Sequence, residues 1–190
     1  METNKSYKLI FSKKETSVSI ISKLQKKVNY EENRIKKSFK IVCDLKPEID
    51  TKKQIINFFI QEKKKQLNRS NAWNYLNIKK FSDYIVNLHE FNSEFIDFSC
   101  LKINDKIVSS HIGYKYKKQF YYIFPVYDPA FKKYSVGNIL LHKLIKNCDD
   151  NNYQLFDFTI GNELYKKKLN NNDIVLFNYL NHNNFIGMIC

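Results

Sequence analysis

The stretch that decides the fold is residues 120–168, FYYIFPVYDPAFKKYSVGNILLHKLIKNCDDNNYQLFDFTIGNELYKKK. It contains a β-type run, a short loop, a helical run, a second β-type run and a final helical turn, in that order. The chain has only 4 glycines in 190 residues, so each one marks a place where the backbone has a special requirement. Gly137 and Gly161 lie where strands give way to helices, and we expect the functional site at these two turns.

Hydrophobic periodicity on both sides of this stretch predicts the remaining elements. Apolar residues at helical spacing predict helices over residues 16–37, 51–68, 77–91 and 136–150, with one or two further helical turns over 163–169. Three period-two runs joined by short turns predict an antiparallel meander over residues 95–103, 106–116 and 119–127. Single strands are predicted at residues 7–11, 39–43, 155–160 and 174–180. Together these elements predict an α/β protein with a mixed central sheet flanked by helices.

Length and composition favour one domain. A chain of 190 residues that is 43% hydrophobic can bury a core of its own. Residues 1–38 are interpreted as a short strand and a basic amphipathic linker helix, and residues 39–190 as a single domain. No apolar run approaches the length of a membrane span, and the first residues lack the apolar segment of a secretory signal. We therefore expect a soluble, cytoplasmic protein.

Neither the cysteines nor the histidines suggest a metal centre. Four cysteines, Cys43, Cys100, Cys148 and Cys190, follow no ligand or disulfide spacing, so reduced thiols are expected. His111 falls in the middle predicted strand with no second ligand at metal spacing, and is expected to be a satisfied interior histidine. No metal site is predicted.

The charge of the chain leaves two interpretations open. The formal net charge is +13, and lysine runs such as 63–65 resemble a phosphate-binding surface. However, only Arg34 and Arg69 are arginines, so 30 of the 32 basic residues are lysines, and bidentate recognition of phosphates and bases favours arginine. We therefore favour the interpretation that the lysine excess reflects the amino-acid bias of an AT-rich genome over a dedicated nucleic-acid site. The charge could also attract an anionic substrate over long range.

The loop before the helix at residues 136–150 has the features of a phosphate-binding turn. A strand ends, the chain turns, and a helix begins with unpaired N–H groups at its partially positive end. Gly137 would let the backbone approach a phosphate closely, with Lys132 and Ser135 beside it and the N–H groups of Asn138 and Ile139 as further donors. Simple helix capping is the alternative interpretation of the same residues.

Three phrases of the sequence resemble the GNAT acyltransferases, in particular the CelD-like acetyltransferase branch that is related to Fem-type aminoacyltransferases. They are the basic KLQKK segment at residues 23–27, YYIFPVYDPAFKKYSVGNILLHKLI at 121–145, and FDFTIGNELYKKKL at 156–169. The resemblance covers roughly residues 20–180 and implies a GNAT-like fold. Members of this branch usually carry two GNAT-like halves, and this chain resembles the second half only.

The resemblance implies transfer of an acyl group from acetyl-CoA or another acyl-CoA to an amine or hydroxyl. The family's pyrophosphate-binding pattern falls on Lys132, Ser135 and Gly137, although lysine and serine replace the usual Arg/Gln and first glycine. The implied donor-binding set is completed by the neighbouring N–H groups of the helix and by Val126, on a strand expected to bulge at Phe124–Val126 around Pro125.

Direct transfer from a thioester requires a polarising N–H group and groups that handle protons near the reacting carbon. The candidates are Asp128, Asp157, Glu163, Tyr165 and Lys166. Tyr165 would act as the acid toward the leaving thiolate, and Lys166 would hold an anionic substrate or developing charge. Glu163 and Lys166, three residues apart, can share a helix face and flank the acceptor. Each candidate also has a structural alternative as a turn former, a loop anchor or a core residue.

Several partners and rival functions remain open. The resemblance implies a small-molecule acceptor, such as a cell-envelope sugar or amino sugar. For the missing first half, three alternatives are open: a reduced single-domain form, a fragment of a split or decayed gene, or one subunit for which a partner chain or a homodimer supplies that half. One rival is Fem-type transfer from aminoacyl-tRNA, with the basic helix around 23–37 on the RNA backbone. The other is a degenerate half that only packs on a partner and binds no acyl-CoA.

Overall fold

A computed structural model describes residues 3–90, 94–161 and 163–177 of the chain. Residues 178–180 of the last predicted strand, Cys190 and the predicted helix end at Phe91 lie outside the described residues. The strands of the described part are β1 Thr3–Ile10, β2 Ile41–Asp44, β3 Ile96–Ile103, β4 Lys106–Tyr116, β5 Gln119–Tyr127, β6 Leu155–Ile160 and β7 Asn172–Phe177. Its α-helices are α1 Lys14–Lys36, α2 Ile49–Arg69, α3 Lys79–Asn87, α4 Val136–Asp150 and α5 Leu164–Leu169.

One mixed sheet organises the described residues, with the strand order β2-β3-β4-β5-β6-β1-β7. Neighbouring strands in it are antiparallel, apart from the parallel pair β5 and β6. The first strand of the chain, β1, lies between the last two strands, β6 and β7. The predicted α/β class and mixed sheet are confirmed.

The predicted meander is also confirmed. β3, β4 and β5 are consecutive antiparallel strands, and α4 begins at Val136 after β5 and a 3₁₀ turn over Pro129–Tyr134. Asn104 and Asp105, which join β3 to β4, have positive φ angles of 47° and 63°. A two-residue turn with this geometry matches the right-handed twist of the two strands it connects.

Helices cover both faces of the sheet and bury two apolar clusters. On one face, α1 and α4 cover residues such as Leu101, Phe120 and Phe156. On the other, α2 and α3 cover Phe98 and Ile112. β1 and α1, from the region interpreted as a linker, thus share a sheet and a core with the rest of the described chain. His142 lies on the side of α4 opposite the apolar stripe that Leu141, Leu144 and Ile145 form in the sequence, which predicts contact with solvent or substrate. Its side chain is nevertheless fully buried.

The side chains of β4 do not alternate regularly between the two faces of the sheet. The register between β3 and β4 shifts near Leu101, so that β4 contains one extra residue between Ile107 and Ser109. Val108 consequently packs in the cluster of Leu101, whereas Ile112 packs in the cluster of Phe98. The period-two pattern of residues 106–116 predicts Val108 and Ile112 on one face. This prediction is wrong, because a bulge changes the facing of every later side chain.

His111 of β4 lies in the interior, but it is not satisfied by hydrogen bonds. Its ring is fully buried and stacks 4.6 Å from the ring centroid of Tyr122, and its Nδ1 lies 3.8 Å from Oδ2 of Asp97. Neither ring nitrogen has a hydrogen-bond partner among the described residues. Burial lowers the pKa of His111 to about 3 and raises the pKa of Asp97 to about 7. Both groups are therefore neutral in the folded protein between those two values.

Removing the Asp97 carboxyl should reveal the energetic cost of burying His111. In Asp97→Asn, we expect the free energy of unfolding to fall by about 2–3 kcal/mol between pH 6.5 and 4.5, because only the unfolded imidazole takes up a proton there. In the wild type, Asp97 has the opposite effect on stability. Folded Asp97 keeps a proton that the unfolded chain releases above about pH 4, so its contribution to the free energy of unfolding grows as the pH falls. Urea unfolding at both pH values measures the difference. A pH-independent Asp97→Asn stability would contradict the assignment of a neutral His111.

The remaining sequence-based expectations concern cysteines, metals and membranes. Cys43, Cys100 and Cys148 are free thiols, and burial raises the pKa of Cys43 to about 12 and that of Cys100 to about 11. Over residues 3–90, 94–161 and 163–177, no cluster of three His, Cys, Asp or Glu side chains could hold a metal ion. No helix in these ranges has the length and hydrophobicity needed to cross a membrane.

Candidate active site

A cleft opens where the two parallel strands separate. β5 and β6 pair only over Gln119–Tyr121. Just beyond this point, β5 carries one extra residue between Tyr121 and Phe124, opposite Ile112 and Tyr114 of β4. The bulge lies earlier than the expected Phe124–Val126, since Pro125 stays in register opposite His111. A bulge bends its strand and increases the local twist, which directs β5 away from β6.

Gly113 allows this bulge to form. A Cβ atom at Gly113 would lie 2.4 Å from the carbonyl oxygen of Tyr121 and 2.4 Å from Cε1 of His111. Contacts this short with a backbone atom cannot be relieved by moving a side chain. The strand opposite the bulge therefore requires glycine at this position.

The cleft has a volume of about 660 Å³ and lies between the C-terminal half of β5, the N-terminus of α4, the segment after β6 and one face of α2. It brings together most of the residues that were predicted from the sequence. Those that line it are Val126, Lys132, Ser135, Gly137, Asn138, Glu163, Tyr165 and Lys166. The two predicted turns thus meet at a single site.

The N-terminus of α4 presents two free backbone donors at one end of the cleft. Ser135 precedes the helix in the left-handed conformation, with φ 52°, and its carbonyl oxygen accepts hydrogen bonds from the N–H groups of Asn138 and Ile139 at 2.8 and 3.1 Å. These two predicted donors are thus already engaged, and Ile139 is fully buried. The N–H groups of Val136 and Gly137 donate to no described residue, and both residues line the cleft. Val136 is fully buried whereas Gly137 is half-buried, so Gly137 is the more accessible donor for an anion.

The segment after β6 places an ion pair at the other end of the cleft. Nζ of Lys166 lies 3.2 Å from Oε2 of Glu163 and donates to the carbonyl oxygen of Ile160 at 2.7 Å. Lys166 is buried, whereas Glu163 is half exposed. An ammonium has three N–H donors, so one remains for a ligand. The expected contact between Glu163 and Lys166 is present.

Gly161 is necessary for this ion pair. Its φ angle is 146°, which L-residues rarely adopt. A Cβ atom there would lie 2.1 Å from Oε2 of Glu163 and 2.6 Å from Nζ of Lys166. The glycine therefore satisfies both the backbone geometry and the close approach of the two charged groups.

Two tyrosines line the cleft beside the ion pair. Tyr165 packs edge-on against Phe158, and Tyr122 of β5 stacks on His111. Burial, and then the charge of Glu163, raise the pKa of Tyr165 well above its usual value. Burial is also the main cause of the raised pKa of Tyr122. Neither hydroxyl bonds to a described residue, so both phenols are protonated donors available to a ligand.

The two predicted aspartates do not line the cleft, and both have structural partners. Asp157 is buried and accepts hydrogen bonds from Ser6 Oγ at 2.9 Å and from the N–H of Thr159 at 2.8 Å. It thereby fixes β1 to β6 and stabilises the positive φ of Thr159. Asp128 accepts from the N–H of Ala130 at 2.9 Å and caps the 3₁₀ turn. The structure thus agrees with the alternative interpretations of these residues as a loop anchor and a turn former.

The sequence prediction omitted the wall formed by α2. Lys63 and Gln66 line the cleft, and Nζ of Lys63 donates to Oε1 of Gln66 at 3.1 Å. Burial, together with the nearby charge of Lys166, lowers the pKa of Lys63, while Glu163 opposes this shift. The lysine run at 63–65 was noticeable in the sequence, but nothing in it showed which of its members faces a cavity.

The structural neighbours share this fold at low sequence identity. FemX aligns with 90% of this chain and 59% of its own length, at a TM-score of 0.60 and 9% identity. The C-terminal DUF2156 domain of a candidate lysylphosphatidylglycerol synthetase from Agrobacterium fabrum aligns with 84% of this chain and 48% of its own, at a TM-score of 0.57 and 9% identity.

A third neighbour is a conserved protein of unknown function from Bacteroides thetaiotaomicron. It aligns with 87% of this chain and 54% of its own, with a TM-score of 0.56 and 16% identity. The chain thus spans about half the length of the solved structures it resembles. At such identities the likeness concerns the fold alone.

Sequence comparison identifies the family directly. Comparison with curated proteins finds no match. A family model described as an acetyltransferase (GNAT) domain, however, matches residues 22–167. This match includes the meander, the separated strands and both turns that form the cleft. The chain therefore belongs to the GNAT acetyltransferase domain family.

Proposed function

We propose that this protein is an acyl-CoA-dependent N- or O-acyltransferase that acts on a sugar or amino sugar of the cell envelope. The observation that carries the proposal is the cleft between β5 and β6. It offers free backbone donors at Val136 and Gly137 at one end and proton-handling side chains at the other. A phosphate-bearing thioester requires both features along one groove.

In the proposed complex, the donor lies along the unpaired edge of β5. The pyrophosphate binds to the N–H groups of Val136 and Gly137 at the positive end of α4, and Lys132 supplies a neighbouring charge. Ser135 and Asn138 form the rim of this end, and Val126 contacts the arm of the donor. Past Tyr121, the backbone of β5 does not pair with that of β6, although the Thr159 hydroxyl donates to the carbonyl oxygen of Tyr122 at 3.4 Å. The strand edge beyond Tyr122 is therefore open to the amides of an extended ligand.

In the proposed reaction, the acceptor nitrogen or oxygen bonds to the thioester carbon and the carbon–sulfur bond breaks. The remaining N–H of Lys166 stabilises the negative charge that develops on the carbonyl oxygen. Tyr165 gives its proton to the leaving thiolate, and half-exposed Glu163 accepts the acceptor's proton and passes it to water. Tyr165 then regains a proton from solvent, so the protons balance.

Gly137→Glu tests the donor site. We expect it to weaken acyl-CoA binding at least about tenfold, because a carboxylate beside the pyrophosphate repels it. The fold should survive, since a Cβ at Gly137 meets its nearest atom, in the ring of Tyr127, only at 3.4 Å. Calorimetry with acetyl-CoA measures the change, and Gly137→Ala controls for added bulk. Unchanged affinity for acetyl-CoA in a folded Gly137→Glu variant would contradict the assignment of the pyrophosphate site. If the wild type binds no acyl-CoA, the alternative of a degenerate, non-catalytic half is favoured.

An aminoacyl-tRNA is the alternative donor. This possibility is supported by the exposed lysines of α1, including Lys23, Lys26 and Lys27, which form a basic surface suited to an RNA backbone. The fold likeness to FemX agrees with it. Transfer from charged tRNA in the absence of CoA, lost on replacing these lysines with glutamine, would favour this donor over acyl-CoA.

We also propose that a second polypeptide completes the protein. The chain spans about half the length of its solved structural neighbours, and a partner chain or a second copy is the proposed source of a second half. Light scattering of the purified protein, alone and with a co-expressed candidate partner, distinguishes a monomer from either assembly.

A further inference from the structure

One stripe of α2 changes from apolar to polar where it passes over β5. Ile55 and Phe59 are fully buried in the core. Continuing at the same helical spacing, the stripe contains Glu62, Gln66 and Arg69. Residues at these intervals lie on one face of a helix, and along this face the side chains change from buried Glu62 to exposed Gln66 and Arg69.

Glu62 is the unusual member of this stripe, because it is 5% exposed. Its Oε1 accepts a hydrogen bond from Lys65 Nζ at 2.6 Å. Its Oε2 is buried and has no hydrogen-bond partner among the described residues. Leaving a buried carboxylate oxygen unsatisfied is unfavourable, so this atom needs a partner that the described protein does not supply.

A side cavity of about 80 Å³ lies next to Glu62. Its polar lining comes from Glu62, Gln66 and Arg69, and its other wall is the end of β5 with Pro129. Gln66, Pro125, Val126 and Tyr127 line both this cavity and the cleft, so the two adjoin each other along these residues. A ligand that reaches past them from the cleft would enter the side cavity.

We propose that the side cavity binds neighbouring hydroxyl groups of the acceptor and so selects a sugar-like acceptor, an inference that rests on the proposed acyltransferase function. Glu62 can only accept hydrogen bonds, Arg69 can only donate them, and Gln66 can do both. A hydroxyl group both donates and accepts, so adjacent hydroxyls match all three side chains. An ammonium only donates and an ionised phosphate only accepts, and neither satisfies the full set.

Glucosamine and cyclohexylamine are matched probes, since both are primary amines on six-membered rings and only glucosamine carries hydroxyls. Protein-observed NMR titration without any donor should show tighter binding of glucosamine. Glu62→Gln should weaken glucosamine binding by about tenfold, the loss expected for a hydrogen bond to a charged group, and should leave cyclohexylamine unchanged. Glu48→Gln, an exposed position at the start of the same helix, is the control and should match the wild type.

Thermal unfolding separates a binding role of Glu62 from a structural one. Glu62→Met should melt at the wild-type temperature or above, because it removes an unsatisfied buried carboxylate. A lower melting temperature would show that the Glu62–Lys65 pair is structural and would overturn the inference. So would a wild type that does not prefer glucosamine, or an unchanged glucosamine affinity in Glu62→Gln. Because the titration uses no donor, a failure of acyl-CoA binding would contradict the proposed function without deciding this result.

Discussion

Gly161→Ala is expected to destabilise the protein by about 2–4 kcal/mol and to abolish most turnover. The backbone at this position has a φ of 146°, and forcing an L-residue into such a conformation is costly by itself. The new methyl group would also overlap Oε2 of Glu163 and Nζ of Lys166. Chemical denaturation measures the stability loss, and thiol release from acetyl-CoA with glucosamine as acceptor measures turnover.

A second variant separates the two causes. In Gly161→Ala combined with Glu163→Ala, the overlap with the carboxylate is gone while the backbone strain remains. We expect the double variant to be more stable than the sum of the single effects predicts, because the two positions are in direct contact. If Gly161→Ala retains wild-type stability and turnover, the glycine requirement and the site built on it are both refuted.

Tyr165→Phe is expected to reduce turnover about hundredfold with little change in stability. The substitution removes only the hydroxyl and keeps the edge-on packing against Phe158. Loss of a general acid typically lowers the rate by about two orders of magnitude or more. Because burial keeps the phenol protonated, it is a donor throughout the neutral pH range. The initial rate of thiol release, with the melting temperature recorded alongside, tests both parts.

Tyr122→Phe is the matched control, since Tyr122 also lines the cleft beside the ion pair and its hydroxyl has no hydrogen-bond partner among the described residues. We expect a smaller effect there, because Tyr122 is more deeply buried than Tyr165 and is held by stacking on His111. A hundredfold loss in Tyr122→Phe alone would transfer the acid role to that residue. Unchanged turnover in Tyr165→Phe would assign Tyr165 to the core and leave the proposed chemistry to Glu163 and Lys166.

Local patterns in the sequence predicted the elements that meet at the cleft. Apolar spacing predicted α4, period-two runs predicted the meander, and the scarcity of glycine directed attention to the turns at Gly137 and Gly161. These signals are local, because a helix start or a positive φ depends on neighbouring residues. The contact between Glu163 and Lys166 was predictable for the same reason, as both belong to one helical turn.

The remaining features of the site and core depend on contacts between residues far apart in the chain, which a single sequence does not show. The hydrogen-bond partner of Asp157 is Ser6, which is far away in the chain, so the sequence did not show this structural contact. His142 is buried because α1 packs on α4, where Glu32 pairs with Lys143 at 2.8 Å. Lys63 reaches the cleft only because α2 crosses β5. A bulge in β4 moved Val108 to the other core, and bulges have no reliable signal in a single sequence.

The position of β1 affects how the chain can fold while it is being made. β1 is synthesised first, yet its hydrogen-bonding neighbours β6 and β7 are among the last elements, and Ser6 meets Asp157 across a separation of 151 residues. Tyr7, Leu9 and Phe11, all buried in the finished protein, therefore have no sheet to cover them until translation reaches that end. On the ribosome, these side chains are expected to depend on chaperones or transient contacts. Nascent chains arrested before β6 should thus be cleaved by protease near β1, and chains extended past β7 should resist cleavage there.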